Sequence, residues 1–171
     1  MKKIIFTFLV IICGVTSVSA QKFALIDMEY ILRNIPAYER ANEQLNQSSK
    51  RWQTEVETLS AETETLYKNY QSESVFLSAE QKAKREQEIA DKEKAARDLK
   101  YKYFGPEGEL YKMRESLMKP IHDEIYTAVK TISEAQSYSL VVDRASAESV
   151  IYASPRIDIS AEVLSRLGYA N

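Results

Sequence analysis

The sequence predicts an α+β fold in which a small three-stranded β body carries a long antiparallel helical hairpin, a coiled-coil arm. A stripe of apolar residues at alternating spacings of four and three predicts a long helix ending near residue 71. A second helical stretch, residues 79–104, is rich in acid–base pairs four positions apart. Short apolar runs near both chain ends predict strands, so the helices form an excursion between them.

The first 20 residues have the pattern of a cleaved secretory signal peptide. Lys2 and Lys3 precede a short apolar core, and small residues end the segment at Ala20. The core is too short for a comfortable membrane span. An alternative is a lipoprotein acylated at Cys13, although large isoleucines precede this cysteine where that processing needs small residues. We expect a mature chain from residue 21, exported to the periplasm and without stable membrane insertion.

The composition argues against several classes of function. The chain has 23 basic and 25 acidic residues, and removal of Lys2 and Lys3 leaves a net charge of −4. A nucleic-acid-binding protein needs a basic face to neutralise phosphates, so we expect no nucleic acid partner. The mature chain has no cysteine and only three glycines, which argues against disulfides and glycine-rich phosphate loops.

The mature chain opens with a predicted strand and a short helix. Residues 23–26 form an apolar run that Asp27 ends, which predicts a buried strand. Asp27 also suits the N-cap of a helix over residues 28–33. Pro36 ends that helix, because the residue before a proline avoids helical dihedrals, and it suits the first turn of the next helix.

The long helix is predicted over residues 37–71, an arm roughly 50 Å long at about 1.5 Å per residue. Its apolar seam cannot face water without cost, so another helix must cover it. The predicted seam residues are Leu45, Ser49, Trp52, Val56, Leu59, Thr63, Leu66 and Tyr70.

The partner for this seam is predicted within the same chain. Residues 72–78 form the tip, and Ser78 with Gln81 predicts a capping box that starts a return helix over residues 79–104. The return helix has a thin seam that suits antiparallel packing against the heavier one. Its members are Ile89, Ala96, Leu99 and Tyr103.

The chain then returns to the β body. A glycine–proline joint at residues 105–108 breaks the return helix, and helical periodicity resumes over residues 109–135, where Pro120 should introduce a kink. Residues 138–143 and 150–153 predict the second and third strands.

The C-terminal region ends in a short helix that Asp158 or Ser160 caps and Gly168 closes. We assign residues 21–36 and 136–171 to the β body and residues 37–135 to the arm. Three short strands make a sheet too small to cover its own edges and faces, so the body is expected to oligomerise.

The residues that could carry chemistry form no catalytic pattern. His122 is the sole histidine and is interpreted as an ordinary helix residue. Glu62 and Glu64 are two positions apart and point to different helix faces. Asp143 and Arg144 are interpreted as a structural ion pair. We expect no enzyme, no cofactor and no metal site.

Exposed aromatic and aliphatic residues on the arm are the candidate contacts for an apolar partner. Ordinary packing with half-exposed rings is the alternative interpretation. A basic cluster near the tip, Lys82, Lys84 and Arg85, is interpreted as solvated surface, with an anionic partner as the alternative. The candidate contact residues are Tyr67, Val75, Phe76, Leu77 and Tyr101.

Several stretches resemble the Skp (OmpH-like) periplasmic chaperone family. Besides the signal peptide, they read FALIDMEYIL at residues 23–32, NIPAY at 34–38, LSAE at 77–80 and IDISAEVL at 157–164. With the charged hairpin between them, the resemblance covers essentially the whole mature chain. The hairpin alone would match many coiled coils.

This resemblance implies a homotrimer in which strands of three subunits form a barrel-like body and three arms enclose a cavity. The resemblance also implies that unfolded outer-membrane proteins are held there without ATP. Better-known members are basic, whereas this mature chain has a net charge of −4, so neither lipopolysaccharide binding nor steering of clients by positive arms is inferred from the resemblance. The strand residues expected at the subunit interface are Phe23, Leu25, Leu140, Val142 and Ile151.

An alternative from another class is an exported coiled-coil scaffold or adaptor that binds one folded partner through its arm tip. The direction of the apolar residues separates the two hypotheses. A scaffold should concentrate them at residues 75–77, whereas a chaperone should scatter them along one face of the arm. In either case the seam stiffens the arm, and function is expected on the faces that the seam leaves exposed.

Overall fold

The computed structural model describes residues 21–147 and 150–169. The predicted signal peptide therefore lies outside the described residues. Strand β1 (Lys22–Ile26) is followed by α1 (Met28–Arg33), α2 (Pro36–Glu73), a 3-10 turn (Ser74–Phe76) and α3 (Ala79–Phe104). The chain continues through α4 (Glu109–Gln136), β2 (Tyr138–Asp143), a second 3-10 turn (Pro155–Ile157) and α5 (Ser160–Arg166).

The sheet consists of β1 and β2, which run parallel although more than 100 residues separate them. Parallel strands need a crossover, and here the four helices α1–α4 supply it. Residues 157–159 add a single parallel bridge beside β1, between Leu25 and Asp158, and the N–H of Ile159 donates to the carbonyl of Leu25 at 2.9 Å.

The third strand predicted at residues 150–153 is wrong for the single chain. These residues have no strand assignment, and the side chain of Ile151 is 100% exposed. A strand needs a neighbouring backbone edge for its hydrogen bonds. Among the described residues, this segment pairs with neither β1 nor β2.

The local signals that start the helices are confirmed. The carboxylate of Asp27 accepts from the N–H of Tyr30 at 2.8 Å and caps α1, and Pro36 lies in the first turn of α2. At α3, the Ser78 hydroxyl accepts from the N–H of Gln81 at 3.3 Å, while the Gln81 side chain accepts from the N–H of Ser78 at 2.9 Å. This reciprocal pair is the predicted capping box.

The two residues predicted as alternative caps of α5, Asp158 and Ser160, make different hydrogen bonds. The carboxylate of Asp158 accepts from the N–H of Ser160 at 2.9 Å, at the start of the helix. The hydroxyl of Ser160 accepts instead from the N–H of Asp27 at 2.7 Å and so ties α5 to the end of β1. Gly168 follows the helix with a φ of +83°, a conformation that favours glycine.

Helix α2 has 38 residues and is therefore about 57 Å long. It packs against both α3 and α4. Leu45, Trp52 and Thr63 are buried in the seam as predicted, but Ser48 is buried in place of Ser49. Helix α4 is continuous through Pro120.

The joint between α3 and α4 is tightly built. A Cβ on Gly108 would lie 2.7 Å from the carbonyl oxygen of Tyr103, and one on Gly105 would clash with the carbonyl oxygen of Tyr101. Beside the joint, the ring of Tyr103 stacks on Trp52 with centroids 5.0 Å apart. The stacked pair therefore holds the C-terminal end of α3, next to the joint, against α2.

The hydrophobic core lies where α1, α4 and α5 pack on the sheet, so α4, which the sequence assigned to the arm, contributes to the core of the body. Ala24 and Ile26 point into it from β1. Ile31, Ile125 and Val163 are its fully buried large residues, one from each of the three helices. Among the described residues, no helix is long and apolar enough to cross a membrane.

Candidate functional site

The residues considered for chemistry lie apart from one another. His122 is exposed on α4 in a cleft with Tyr38, and Glu62 forms an ion pair with Lys92 of α3 at 3.2 Å. Glu64 pairs with Lys68 within α2 at 2.6 Å. Within the described ranges, no group of three or more His, Cys, Asp or Glu side chains could hold a metal ion.

A polar cluster joins the carboxyl ends of the two strands. Arg144 forms an ion pair with Asp27 at 2.7 Å, so the predicted pairing of Arg144 with Asp143 is wrong. Asp143 is the last residue of β2, and its side chain points in a different direction from that of Arg144. Its carboxylate accepts from the N–H groups of Met28 and Ala145, each at 3.0 Å. These bonds connect β1, α1 and β2.

The electrostatics of this cluster stabilise the charged carboxylates. The hydrogen bond from the N–H of Tyr30 and the guanidinium of Arg144 hold the pKa of Asp27 below its usual value. Burial raises the pKa of Asp143, but hydrogen bonds from Met28, Ser146 and Ala145 outweigh it, so the net shift is downward. The cluster has a structural role, since every carboxylate bond in it ties backbone or side chains of the body together.

The sheet has one face toward the core and one apolar face away from it. In the parallel register Phe23 lies beside Leu140, and Leu25 beside Val142, so these four side chains share the outer face. Phe23 is 50% exposed and Leu140 52% exposed, whereas Leu25 is buried and Val142 half-buried. Four of the five predicted interface residues thus come together, and the fifth, Ile151, lies on the following unpaired segment.

The second edge of β2 pairs with no strand in the described part of the chain. A cleft runs along this edge between β2 and α4, and Tyr126 of α4 lines it and is largely exposed. Tyr126 and the exposed Tyr152 were not among the predicted interface residues. Their signal in the sequence is an aromatic side chain directly after an isoleucine: Tyr126 follows the buried Ile125, and Tyr152 follows Ile151 of the predicted third strand.

The arm tip presents part of the predicted apolar cluster. The 3-10 turn directs Val75 and Phe76 outward, with Phe76 86% exposed. Leu77 is half-buried and lines a shallow groove against the first turns of α3, so it is less accessible than predicted. The tip therefore exposes two apolar residues at the end of the arm.

The two flanks of the hairpin differ in character. One flank contains a groove between α2 and α3, lined by Val56, Ala61, Tyr67 and Phe104 among polar neighbours. We call this groove the arm groove. Tyr67 is half-exposed within it, whereas Tyr101 is largely exposed on α3 and lies outside it.

Phe104 is a groove residue that the sequence reasoning missed. It follows the seam residue Tyr103, and one residue further along a helix lies about 100° around its axis. An aromatic residue one step beyond a seam position is thus placed on the flank. The position of Phe104 directly after Tyr103 is therefore the feature of the sequence that indicates this placement.

The opposite flank carries polar links between the two helices. It contains the Glu62–Lys92 ion pair between the helices, and the hydroxyl of Tyr103 donates to Glu55 at 2.9 Å nearby. This hydrogen bond to a carboxylate raises the pKa of Tyr103. Near the tip, the hydroxyl of Tyr70 donates to Glu86 in the same manner. These bonds between helices hold the hairpin closed where the seam is thin.

Comparison with known proteins places this architecture in a family. The model of the family described as outer membrane protein (OmpH-like) matches residues 22–167. The chain belongs to the OmpH-like family. The family prediction from the sequence is therefore confirmed.

Two relatives of this OmpH-like chain extend the comparison. The chaperone protein Skp of Yersinia enterocolitica is 27% identical over 151 residues, which are 88% of this chain and 88% of the relative. A solved structure from Caulobacter crescentus CB15, described as an OmpH-like outer membrane chaperone, matches with a TM-score of 0.69 at 13% identity. The match covers 87% of this chain and 85% of that chain, and it confirms the α+β fold with helical arms.

Proposed function

We propose that this OmpH-like protein is an ATP-independent holdase chaperone of the periplasm, which acts as a trimer and encloses unfolded outer-membrane proteins between its arms. The observation that carries the proposal is the scatter of exposed apolar side chains along the arm, from the arm groove to the tip. A holdase needs many weak contacts rather than one deep pocket. The chaperone named among its relatives supports the same role.

The trimer is proposed to form through the outer face of the sheet. Phe23, Leu25, Leu140 and Val142 supply its apolar surface, and the free edge of β2 supplies unpaired backbone groups. The segment that contains Ile151 then becomes the third strand by pairing with another subunit, which would bury a side chain that is fully exposed in one chain. This accounts for a strand-like sequence that has no partner within its own chain.

In this proposal, residues 21–36 and 136–171 form the body, and residues 37–135 form the arm. Clients contact Tyr67, Val75, Phe76, Leu77 and Tyr101, with Leu77 contributing least because it is half-buried. The protein reaches the periplasm through a cleaved signal at residues 1–20. It uses no nucleotide or other cofactor, because client release depends on the folding of the client and the weakness of each contact.

A coiled-coil adaptor that binds one folded partner remains the second candidate. The exposure of Val75 and Phe76 at the tip favours it, since these are the most exposed aliphatic and aromatic side chains on the arm. An adaptor would lose binding when both are replaced by serine and would capture one stoichiometric partner. A chaperone would retain part of its activity and would capture many unfolded clients.

The direct test is suppression of aggregation when a urea-unfolded β-barrel protein is diluted in the absence of ATP. Light scattering should fall in proportion to added chaperone, with near-complete suppression at a threefold molar excess of subunits. Size-exclusion chromatography with light scattering should give a trimer at micromolar concentration. A monomer, or undiminished aggregation at that excess, would contradict the proposal.

A further inference from the structure

The buried seam of the hairpin ends well before the tip. Thr63 of α2 and Ile89 of α3 are the last buried side chains on the two helices, and every residue from 64 to 88 is half-buried or exposed. From Thr63 to the end of α2 at Glu73, about 15 Å of helix therefore contributes no buried side chain. We call residues 64–88 the distal hairpin.

The part of the hairpin nearer the joint is held more firmly. Trp52 stacks on Tyr103 with ring centroids 5.0 Å apart, and the hydroxyl of Tyr103 donates to Glu55 at 2.9 Å. Glu62 forms an ion pair with Lys92 at 3.2 Å. In this part of the arm, buried side chains and bonds between the two helices occur together.

In the distal hairpin, a single side-chain hydrogen bond joins α2 to α3. The hydroxyl of Tyr70 donates to the carboxylate of Glu86. The other side-chain hydrogen bonds and ion pairs of residues 64–88 connect positions three or four apart along the chain. Such local bonds stabilise each helix end but do not hold one helix to the other.

We propose that the distal hairpin opens and closes as a local unit while the rest of the arm stays closed, and that the Tyr70–Glu86 hydrogen bond is the latch of the closed state. Local opening occurs where a segment has few buried apolar contacts to break. Because burial contributes little in the distal hairpin, the bond between Tyr70 and Glu86 supplies a large share of what favours closure.

Opening changes the apolar surface at the end of the arm. Val75 and Phe76 are exposed in the closed hairpin, whereas the seam residues Leu66 and Tyr70 are half-buried. Separation of α2 from α3 would expose these two side chains as well. A partner that binds the added surface would shift the equilibrium toward the open state, because it binds that state more tightly. The latch therefore sets how much apolar surface the tip presents before a partner arrives.

Hydrogen–deuterium exchange of the full chain, followed by mass spectrometry of its peptides, measures this opening. After correction for intrinsic rates, peptides within residues 64–88 should exchange at least about tenfold faster than peptides within 45–63 or 89–104. Low concentrations of urea should hardly change exchange in the distal hairpin, because a local opening exposes little new surface. Equal protection along the whole of α2 and α3 would overturn the local opening.

A matched pair of tyrosine variants tests the latch. Tyr70→Phe removes the hydroxyl that donates to Glu86 and keeps the ring. Exchange within residues 64–88 should then accelerate by about fivefold, the factor that corresponds to one ordinary hydrogen bond, with no change within residues 45–63. Tyr67→Phe is the control, since Tyr67 lies one turn away on the same helix and its hydroxyl makes no hydrogen bond within the described part of the chain. It should leave exchange unchanged.

The reciprocal variant Glu86→Ala tests the same bond from α3. It should accelerate exchange as much as Tyr70→Phe does, and the double variant should exceed either by no more than about twofold, as expected for two partners of one bond. Tyr103→Phe, which removes the chemically similar bond to Glu55, should leave the distal peptides unchanged. A Tyr70→Phe effect no larger than that of Tyr67→Phe, or fully additive effects of Tyr70→Phe and Glu86→Ala, would overturn the latch.

Discussion

At the scale of single residues, Asp27 connects more parts of the body than its position at the end of a short strand indicates. Its carboxylate caps α1 and binds Arg144, while its N–H donates to Ser160 of α5. The N-cap could be predicted from the sequence, because Asp27 immediately precedes the helix it caps. The other two contacts join residues more than 100 positions apart, which no local pattern encodes.

Asp27→Ala should lower the free energy of unfolding by about 1–2 kcal/mol, because it removes both a helix cap and a partly exposed ion pair. Urea denaturation at fixed protein concentration measures the loss. Glu64→Ala is the control, since the Glu64–Lys68 pair is exposed and caps no helix. Its expected cost is below about 0.5 kcal/mol, and an equal cost for both variants would contradict the role of Asp27.

Acid should weaken the body through the same carboxylates. Asp27 and Asp143 have pKa values below their usual range in the folded chain, so the unfolded chain binds more protons near pH 4. Their contribution to stability is therefore present above an ordinary pKa of about 4 and is lost as the pH falls below it. Urea midpoints at pH 6 and pH 3.5 test this, and Asp27→Asn should reduce the difference between them. An unchanged difference in that variant would contradict the assignment.

At the scale of elements, the joint between α3 and α4 determines how the hairpin is braced. Gly105 and Gly108 allow two helices to meet at a close backbone approach, and Trp52 and Tyr103 stack beside them. The Gly–Pro composition predicted a break in the helix. The tightness of the break, and the aromatic pair that holds it against α2, depend on which face each helix turns toward the other.

Gly108→Ala should destabilise the arm by about 1–3 kcal/mol, because the added methyl group would lie 2.7 Å from the carbonyl oxygen of Tyr103. Trp52 is the sole tryptophan, so its fluorescence reports the change directly. The exposed neighbour Glu107 provides the control, since Glu107→Ala should leave both spectrum and stability near those of the parent. If the stability of Gly108→Ala equals that of the parent, the joint relaxes around the added methyl group and the prediction is wrong.

The ring of Tyr103, which stacks on Trp52, should contribute more to the stability of the fold than the hydroxyl of Tyr103 does. Tyr103→Phe removes the hydrogen bond to the exposed Glu55 and should cost about 0.5–1.5 kcal/mol. Tyr103→Ala also removes the ring that packs on Trp52 and should cost about 3–5 kcal/mol. Thermal unfolding followed by circular dichroism compares them. Equal losses would assign the stability of this region to the hydrogen bond alone.

At the scale of the whole molecule, the body and the arm present different kinds of apolar surface. The outer face of the sheet is apolar and adjoins an open strand edge, which suits another subunit. The arm groove and the tip are narrow and separated by polar residues, which suits transient contact with an unfolded chain. Both surfaces belong to one chain whose core cluster joins the body to the base of the arm through α4.

Leu140→Asp should dissociate the proposed trimer, because it places a charge in the middle of the outer sheet face, where it would be buried between subunits. Light scattering after size-exclusion chromatography should then give the mass of a single chain. Tyr101→Asp is the control, since Tyr101 is also exposed but lies on the arm. A Leu140→Asp protein that remains trimeric would exclude this face as the interface.

The helices, their caps and the joint could be predicted from the sequence because each depends on residues within one or two turns of one another. Ser78 with Gln81, Asp27 with Tyr30, and the seam spacing of α2 are signals of this kind. The candidate contacts Tyr67, Val75, Phe76 and Tyr101 also followed from sequence, since residues off the seam of an amphipathic helix face water.

Only the tertiary structure decided which strands pair, which carboxylate Arg144 meets and which residues of the two helices share a flank of the hairpin. Phe23 and Leu140 become neighbours across more than 100 residues, and Phe104 joins Val56 only after the hairpin closes. Residues 150–153 have the composition of a strand but form none in the single chain, because strand formation requires pairing with a neighbouring edge. A sequence encodes the preference of a segment, and the fold supplies the partner that satisfies it.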